Sequence, residues 1–171
     1  NGTALLKNIY TEPVGSYPTM SNAINLNGTL IFSANDGING RELFRSTGTA
    51  TNTSLLKDCY EGENSSFPKN LAKVGNYVYF SALGGPQGSW YGGYELWRTD
   101  GTSNGTVFIK DINTSHLSSD PRNFKGYNNE VYFVATTGGS DYIHKTNGTV
   151  GNSTSVTTMP IAEDDYAIVN G

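Results

Sequence analysis

Glu95-Leu96-Trp97-Arg98-Thr99-Asp100-Gly101-Thr102 has two counterparts in the same chain, Glu42-Leu43-Phe44-Arg45-Ser46-Thr47-Gly48-Thr49 and Tyr142-Ile143-His144-Lys145-Thr146-Asn147-Gly148-Thr149. An apolar, strand-like run follows each. A period of roughly fifty residues marks a repeat architecture, because one such copy is too small to bury its apolar face without a neighbour.

The register holds at independent points. Leu5-Leu6-Lys7-Asn8-Ile9, Leu55-Leu56-Lys57-Asp58-Cys59 and Phe108-Ile109-Lys110-Asp111-Ile112 correspond, as do Leu30-Ile31-Phe32-Ser33-Ala34, Val78-Tyr79-Phe80-Ser81-Ala82 and Val131-Tyr132-Phe133-Val134-Ala135. Ala23, Leu71 and Phe124 share another position, preceded by Asn22, Asn70 and Asn123. A fourth copy opens around Ser155 to Met159 and reaches Tyr166 to Gly171, short of its third strand. The chain therefore divides into copies at 1–52, 53–104 and 105–152 and a partial copy at 153–171, all within one continuous β domain.

Each copy reads as about four short strands, rich in β-branched and aromatic residues and separated by Gly, Asn, Asp, Ser and Pro. Alternation places Val78, Phe80 and Ala82 on one face with Tyr79 and Ser81 on the other, and Leu30, Phe32 and Ala34 repeat the pattern. No window carries a helical stripe. Leu43, Leu96 and Ile143 share one position and Phe44, Trp97 and His144 the next, so the strand is large on both faces, as in sheets packed between neighbours. Gly48, Gly101 and Gly148 are expected to supply a positive φ at a tight corner, closed by the hydroxyls of Thr49, Thr102 and Thr149. Glu42 and Glu95, three residues before Arg45 and Arg98, are expected to form exposed cross-strand or inter-sheet ion pairs that set register more than stability.

The stretches Glu95 to Asn113 (ELWRTDGTSNGTVFIKDIN) and Leu30 to Phe44 (LIFSANDGINGRELF) resemble the ELWxxDGT repeat family of large secreted or surface-attached proteins. The likeness extends over essentially the whole chain. It is tightest in the second copy, looser in the first, where Thr47 replaces Asp, and loosest in the third, where Tyr142-Ile143-His144 replaces Glu-Leu-Trp. The resemblance implies an all-β, propeller-like array of four-stranded blades, about 50 residues per repeat, with an incomplete fourth repeat. It also implies no enzymatic activity and supplies no catalytic residue.

Composition narrows the partners. The 171 residues are 36% hydrophobic and 12% aromatic, enough for one sizeable core or a row of shared ones. A net charge of −4 with scattered Lys and Arg argues against nucleic acid or an anionic membrane surface, and no apolar run approaches spanning length. Asn-X-Ser/Thr sequons at Asn1, Asn27, Asn52, Asn64, Asn104, Asn113, Asn147 and Asn152 are glycosylation candidates and point to an extracellular or cell-surface location, although Asn-Gly-Thr is also ordinary turn chemistry. Cys59 stands at a core-like strand position and reads as a buried thiol without a chemical role.

Reactive constellations are sparse. His144 replaces Trp97 and Phe44 and reads as a structural aromatic, whereas His116 has no carboxylate or second histidine at ligand spacing. Glu163-Asp164-Asp165 reads as a solvated turn. Asn35-Asp36-Gly37-Ile38-Asn39-Gly40 has oxygens at suggestive spacing for calcium but departs from the calcium-loop pattern and lacks its closing glutamate. The expectation is no metal site and no cofactor, with calcium at that loop as the alternative.

One loop breaks the repeat. Between the third and fourth strands the second copy inserts Pro86 to Gly93, whose Trp90 and Tyr91, with Tyr94 beyond, offer flat faces to a sugar ring or another chain. Two function classes follow: a non-enzymatic extracellular structural or adhesive module of a larger surface protein or filament, or a glycan- or ligand-binding propeller using Trp90, Tyr91 and Tyr94. The unfinished fourth copy leaves open strand edges, so the expected partners are other copies of the chain or further repeats, and glycans in the second class.

Overall fold

The computed structural model describes residues 3–10, 15–86, 92–114, 116–157, 161, 166 and 167. They form twelve strands: β1 (Thr19–Leu26), β2 (Thr29–Asn35), β3 (Arg41–Ser46), β4 (Thr53–Lys57), β5 (Lys69–Val74), β6 (Tyr77–Ala82), β7 (Glu95–Thr99), β8 (Val107–Lys110), β9 (Arg122–Tyr127), β10 (Glu130–Thr137), β11 (Ser140–Thr146) and β12 (Thr154–Ser155). Each successive group of four makes an antiparallel sheet in chain order, β1–β4, β5–β8 and β9–β12. No α-helix occurs among the described residues.

The sheets are offset from the sequence copies. Thr53–Lys57 opens the second copy yet pairs with β3 of the first, and β8 and β12 likewise close the sheets of the copies before them. Leu5 to Ile9 matches these closing strands in sequence but joins no ladder, because among the described residues no third-type strand lies beside it.

The inner strands are buried on both faces, Ile31 to Ala34 in β2 and Val78 to Ala82 in β6 without a break, and successive side chains alternate between the two faces. One face of each sheet carries a cross-strand aromatic pair: Phe32 with Phe44 at 6.1 Å between ring centroids, Phe80 with Trp97 at 6.2 Å and Phe133 with His144 at 5.7 Å. The other face is aliphatic in the first sheet and mixed in the second. Ile31, Leu43 and Leu56 of the first sheet pack on Val78, Phe80 and Trp97 of the second, with Cys59 in the same core. Tyr79, Leu96 and Ile109 of the second pack on Phe124, Val131 and Phe133 of the third. The aromatic face of the first sheet receives Ile9 instead. Stacking is thus unidirectional, the aromatic face of each sheet meeting the opposite face of the one before. The leading strands β1, β5 and β9 approach one another along their backbones, whereas β4 and β8 stay apart, so the sheets splay outward from their first strands.

The repeated corner takes the conformation its glycine was expected to supply. Gly48, Gly101 and Gly148 have φ of 88°, 88° and 83°. Thr49 and Thr102 hydroxyls accept the amides of Asn52 at 3.2 Å and Gly105 at 2.9 Å. The third corner is closed by the Thr149 carbonyl, which accepts Asn152 N at 2.9 Å.

Candidate functional site: the seams between sheets

Ser66-Phe67-Pro68 and Ser119-Asp120-Pro121 enter the second and third sheets, and Ser16-Tyr17-Pro18 enters the first. The middle residue is left-handed each time, with φ of 47°, 44° and 41°. The following proline fixes the chain for the leading strand and removes a donor that has no ladder partner there. Serine then ties two sheets together. Ser66 N donates to Arg41 O at 3.1 Å and Ser119 N to Tyr94 O at 3.1 Å, at the start of the preceding third strand. Their carbonyls accept Leu83 N at 2.8 Å and Thr136 N at 2.7 Å, beyond β6 and within β10 of their own sheets, and Ser16 O accepts Asn35 N at 3.0 Å in the same way.

A buried carboxylate completes each seam. Glu42 Oε2 accepts the Ser66 hydroxyl at 2.5 Å and Cys59 N at 2.9 Å, while Oε1 accepts Ser66 N at 2.7 Å. Glu95 repeats the arrangement with the Ser119 hydroxyl at 2.5 Å, Ile112 N at 2.8 Å and Ser119 N at 3.0 Å. Burial pushes Glu42 up to about 8 and Glu95 up to about 7, against donors that favour the carboxylate; Asp58 and Asp111 add to the rise. Both glutamates are fully buried, which corrects the expectation of exposed pairs with Arg45 and Arg98. Arg45 instead crosses to the next sheet, donating from Nη1 to Gly101 O at 2.8 Å, and the Arg98 guanidinium lies 4.1 Å above the Tyr77 ring. The glutamates were misread because their serine partners lie 24 positions away, in segments without periodicity. The recurring Ser-X-Pro triplet was the signal that could have found them.

The remaining candidate residues scatter. Trp90 and Tyr91 lie outside the described residues. Tyr94 is half-buried and occupied: the Lys69 ammonium sits 3.7 Å over its ring, its amide donates to Ser118 Oγ at 3.0 Å, and its carbonyl takes Ser119 N and Asp120 N. Among the sequons, Asn27, Asn52, Asn64, Asn104, Asn147 and Asn152 are exposed; Asn113 is 6% exposed, which leaves a glycan no room, and Asn1 lies outside the described residues. In the Asn35–Gly40 loop the candidate oxygens are turned onto the loop itself. Asp36 accepts Ile38 N, Asn39 N and the Asn39 amide at 2.8–2.9 Å, and Asn35 Oδ1 accepts Gly37 N at 2.7 Å. Among the described residues no group of three or more His, Cys, Asp or Glu side chains could hold a metal ion. Burial, with Lys110 nearby, pushes the His144 imidazole down to about 4, so it is neutral in its stack on Phe133. His116 is exposed, the Cys59 thiol is buried with its pKa pushed well up by burial, and Glu163 to Asp165 fall outside the described residues.

Two clefts open along the seam between the second and third sheets. One, of about 560 Å³, runs between β5 at Asn70 to Ala72 and β9 at Arg122 to Lys125. Asn70 and Asn123, at equivalent bulged positions with φ of 56°, line it, and Arg122 is held by Asp141 at 2.7 Å. The second, of about 400 Å³, lies between the turns Gly75-Asn76 and Asn128-Asn129. The seams can hold sheets in register and present polar recesses. Compared with protein-family models the chain matches none, and no curated protein shows significant similarity to it.

Proposed function

We propose that this chain is a non-enzymatic extracellular structural repeat module, a propeller-like array whose sheets associate with further sheets of the same kind. The carrying observation is a repeated interface seen in full and in half. Leu56 and Ile109, on the closing strands of the first two sheets, are 3% and 1% exposed beneath the next sheet. Their counterparts at the two ends, Leu6 and Val156, are 49% and 47% exposed. At one end Leu5, Leu6, Ile9, Leu30 and Phe32 border an apolar groove of about 540 Å³. Lys7 holds that segment in place by donating to Thr53 O, as Lys110 donates to Ser153 O at the equivalent position.

Complementary halves at opposite ends of one stack suit head-to-tail association, which closes a ring or extends a fibre. The resemblance to the ELWxxDGT repeats, the convergence of β1, β5 and β9 and the exposed sequons agree with a surface-displayed array of blades. Sedimentation of the native chain tests the reading: association should rise with concentration. Leu6→Asp should block one end and Val156→Asp the other, so that neither variant self-associates while an equimolar mixture forms dimers only. A wild-type chain that stays monomeric at every concentration, or a mixture that does so, would contradict it. Intact mass before and after glycosidase treatment tests the extracellular assignment.

A further inference from the structure

The two seams are built from equivalent residues, yet their hairpin ends are packed differently. At the first, Leu26 ends β1 and is buried, packing where a side chain at Gly101 would stand, 3.4 Å from an added Cβ. Arg45 is bound to Gly101 O and Lys73 to Asn27 Oδ1 at 2.9 Å. At the second seam the hairpin positions are refilled: Val74 stands where Leu26 stood, Tyr77 where Thr29 stood, and Tyr79 where Ile31 stood. Val74 packs onto Gly126, the Tyr79 hydroxyl takes the place beside Gly148 that Leu26 takes beside Gly101, and both residues line the cleft of about 400 Å³. Arg98, the counterpart of Arg45, turns onto Tyr77, and its buried Nε has no hydrogen-bond partner among the described residues. Departure from a repeated scaffold at one of several equivalent places is where a binding function is added.

From this cleft we infer a saccharide-binding site that takes a neutral pyranose unit between the second and third sheets. Its lining supplies what a sugar ring needs. Tyr127, half-buried and edge-on to Tyr132 at 6.5 Å, and Tyr77 line the cleft from the third and second sheets and supply the aromatic surface that a sugar ring's C–H side packs on. Asn76 and Asn128 bring amides that donate and accept at once, as vicinal hydroxyls require. Glu130 adds an acceptor whose charge is already matched by Lys145 at 2.9 Å, which favours a neutral ligand over an ionic one. The volume falls in the usual range for small-ligand sites, and the two turns that carry the amides are each the tip of a paired hairpin.

Titration of the whole chain with a panel of neutral methyl glycosides, followed by saturation-transfer NMR and calorimetry, tests the inference. At least one glycoside should bind saturably at one site per chain. Tyr127→Ala should weaken it at least tenfold. Val74→Leu, which enlarges a side chain lining the cleft, should weaken binding by a similar factor. Absence of saturable binding across the panel, or wild-type affinity in both folded variants, overturns the site.

Discussion

The Glu42 carboxylate accepts the Ser66 hydroxyl at 2.5 Å across the first seam, and Glu95 makes the same bond to Ser119 across the second. Each carboxylate also satisfies two backbone amides. Glu42→Ala should therefore destabilise the chain by roughly 2–4 kcal/mol, since it strands the buried Cys59 amide and the Ser66 hydroxyl, while Ser66 N keeps its bond to Arg41 O. Glu42→Gln keeps an acceptor oxygen and should cost less. Denaturant unfolding of the two variants against wild type checks the order.

The same glutamates give stability a pH slope of predictable sign. Their folded pKa values, about 8 and about 7, lie above the ordinary 4.5, so the folded chain holds protons that the unfolded chain releases. Their contribution is fully present below about 4.5 and is lost as pH rises to about 8. His144 acts oppositely: with its folded value down at about 4 from 6.5, its contribution grows between those limits. Between pH 6.5 and 8 the glutamates act unopposed by it, and the unfolding midpoint should fall across that window. A Glu42→Gln/Glu95→Gln double variant should flatten the fall, which thermal melts at stepped pH would show.

Trp97 fills the place that Phe44 fills in the first sheet, and its buried indole nitrogen has no hydrogen-bond partner among the described residues. Trp97→Phe trades lost volume against removal of a stranded donor and should cost under about 1.5 kcal/mol, whereas Trp97→Ala should cost about 3–5 kcal/mol through the cavity it leaves. His144→Phe removes a desolvated imidazole from the matching position and should raise the melting temperature at pH 5, where the unfolded histidine is protonated.

Two glycines should fail for different reasons. Gly48 has φ of 88° and open space around an added Cβ, so Gly48→Ala carries conformational strain alone, about 1–2 kcal/mol. Gly40 has φ of 70°, and an added Cβ would overlap the Asn64 backbone carbonyl where the connector crosses the first seam. Gly40→Ala should cost about 3 kcal/mol or more. Equilibrium unfolding separates the two.

Legibility in the sequence tracked periodicity. The two-residue alternation of Val78 to Ala82 assigned both faces of a strand, and matching runs placed Leu96 and Trp97 on opposite sides of one sheet, as observed. The cut points of the repeat did not reveal which strands share a sheet, since Leu55 to Lys57 is equally apolar whichever neighbour it joins. Glu42 and Glu95 were read as surface charges because their serine partners are set by a left-handed residue before proline, a conformational signal with no hydropathy. The seam cleft was missed for a related reason: Val74, Tyr77 and Tyr127 differ from their counterparts in size, and only packing converts a size difference into a space.

Because each sheet takes its last strand from the sequence copy that follows, consecutive units are cross-laced rather than merely stacked. A load applied along the polypeptide must shear an antiparallel ladder sideways before any sheet can peel from its neighbour, so the assembly should yield in discrete steps under tension, one unit at a time.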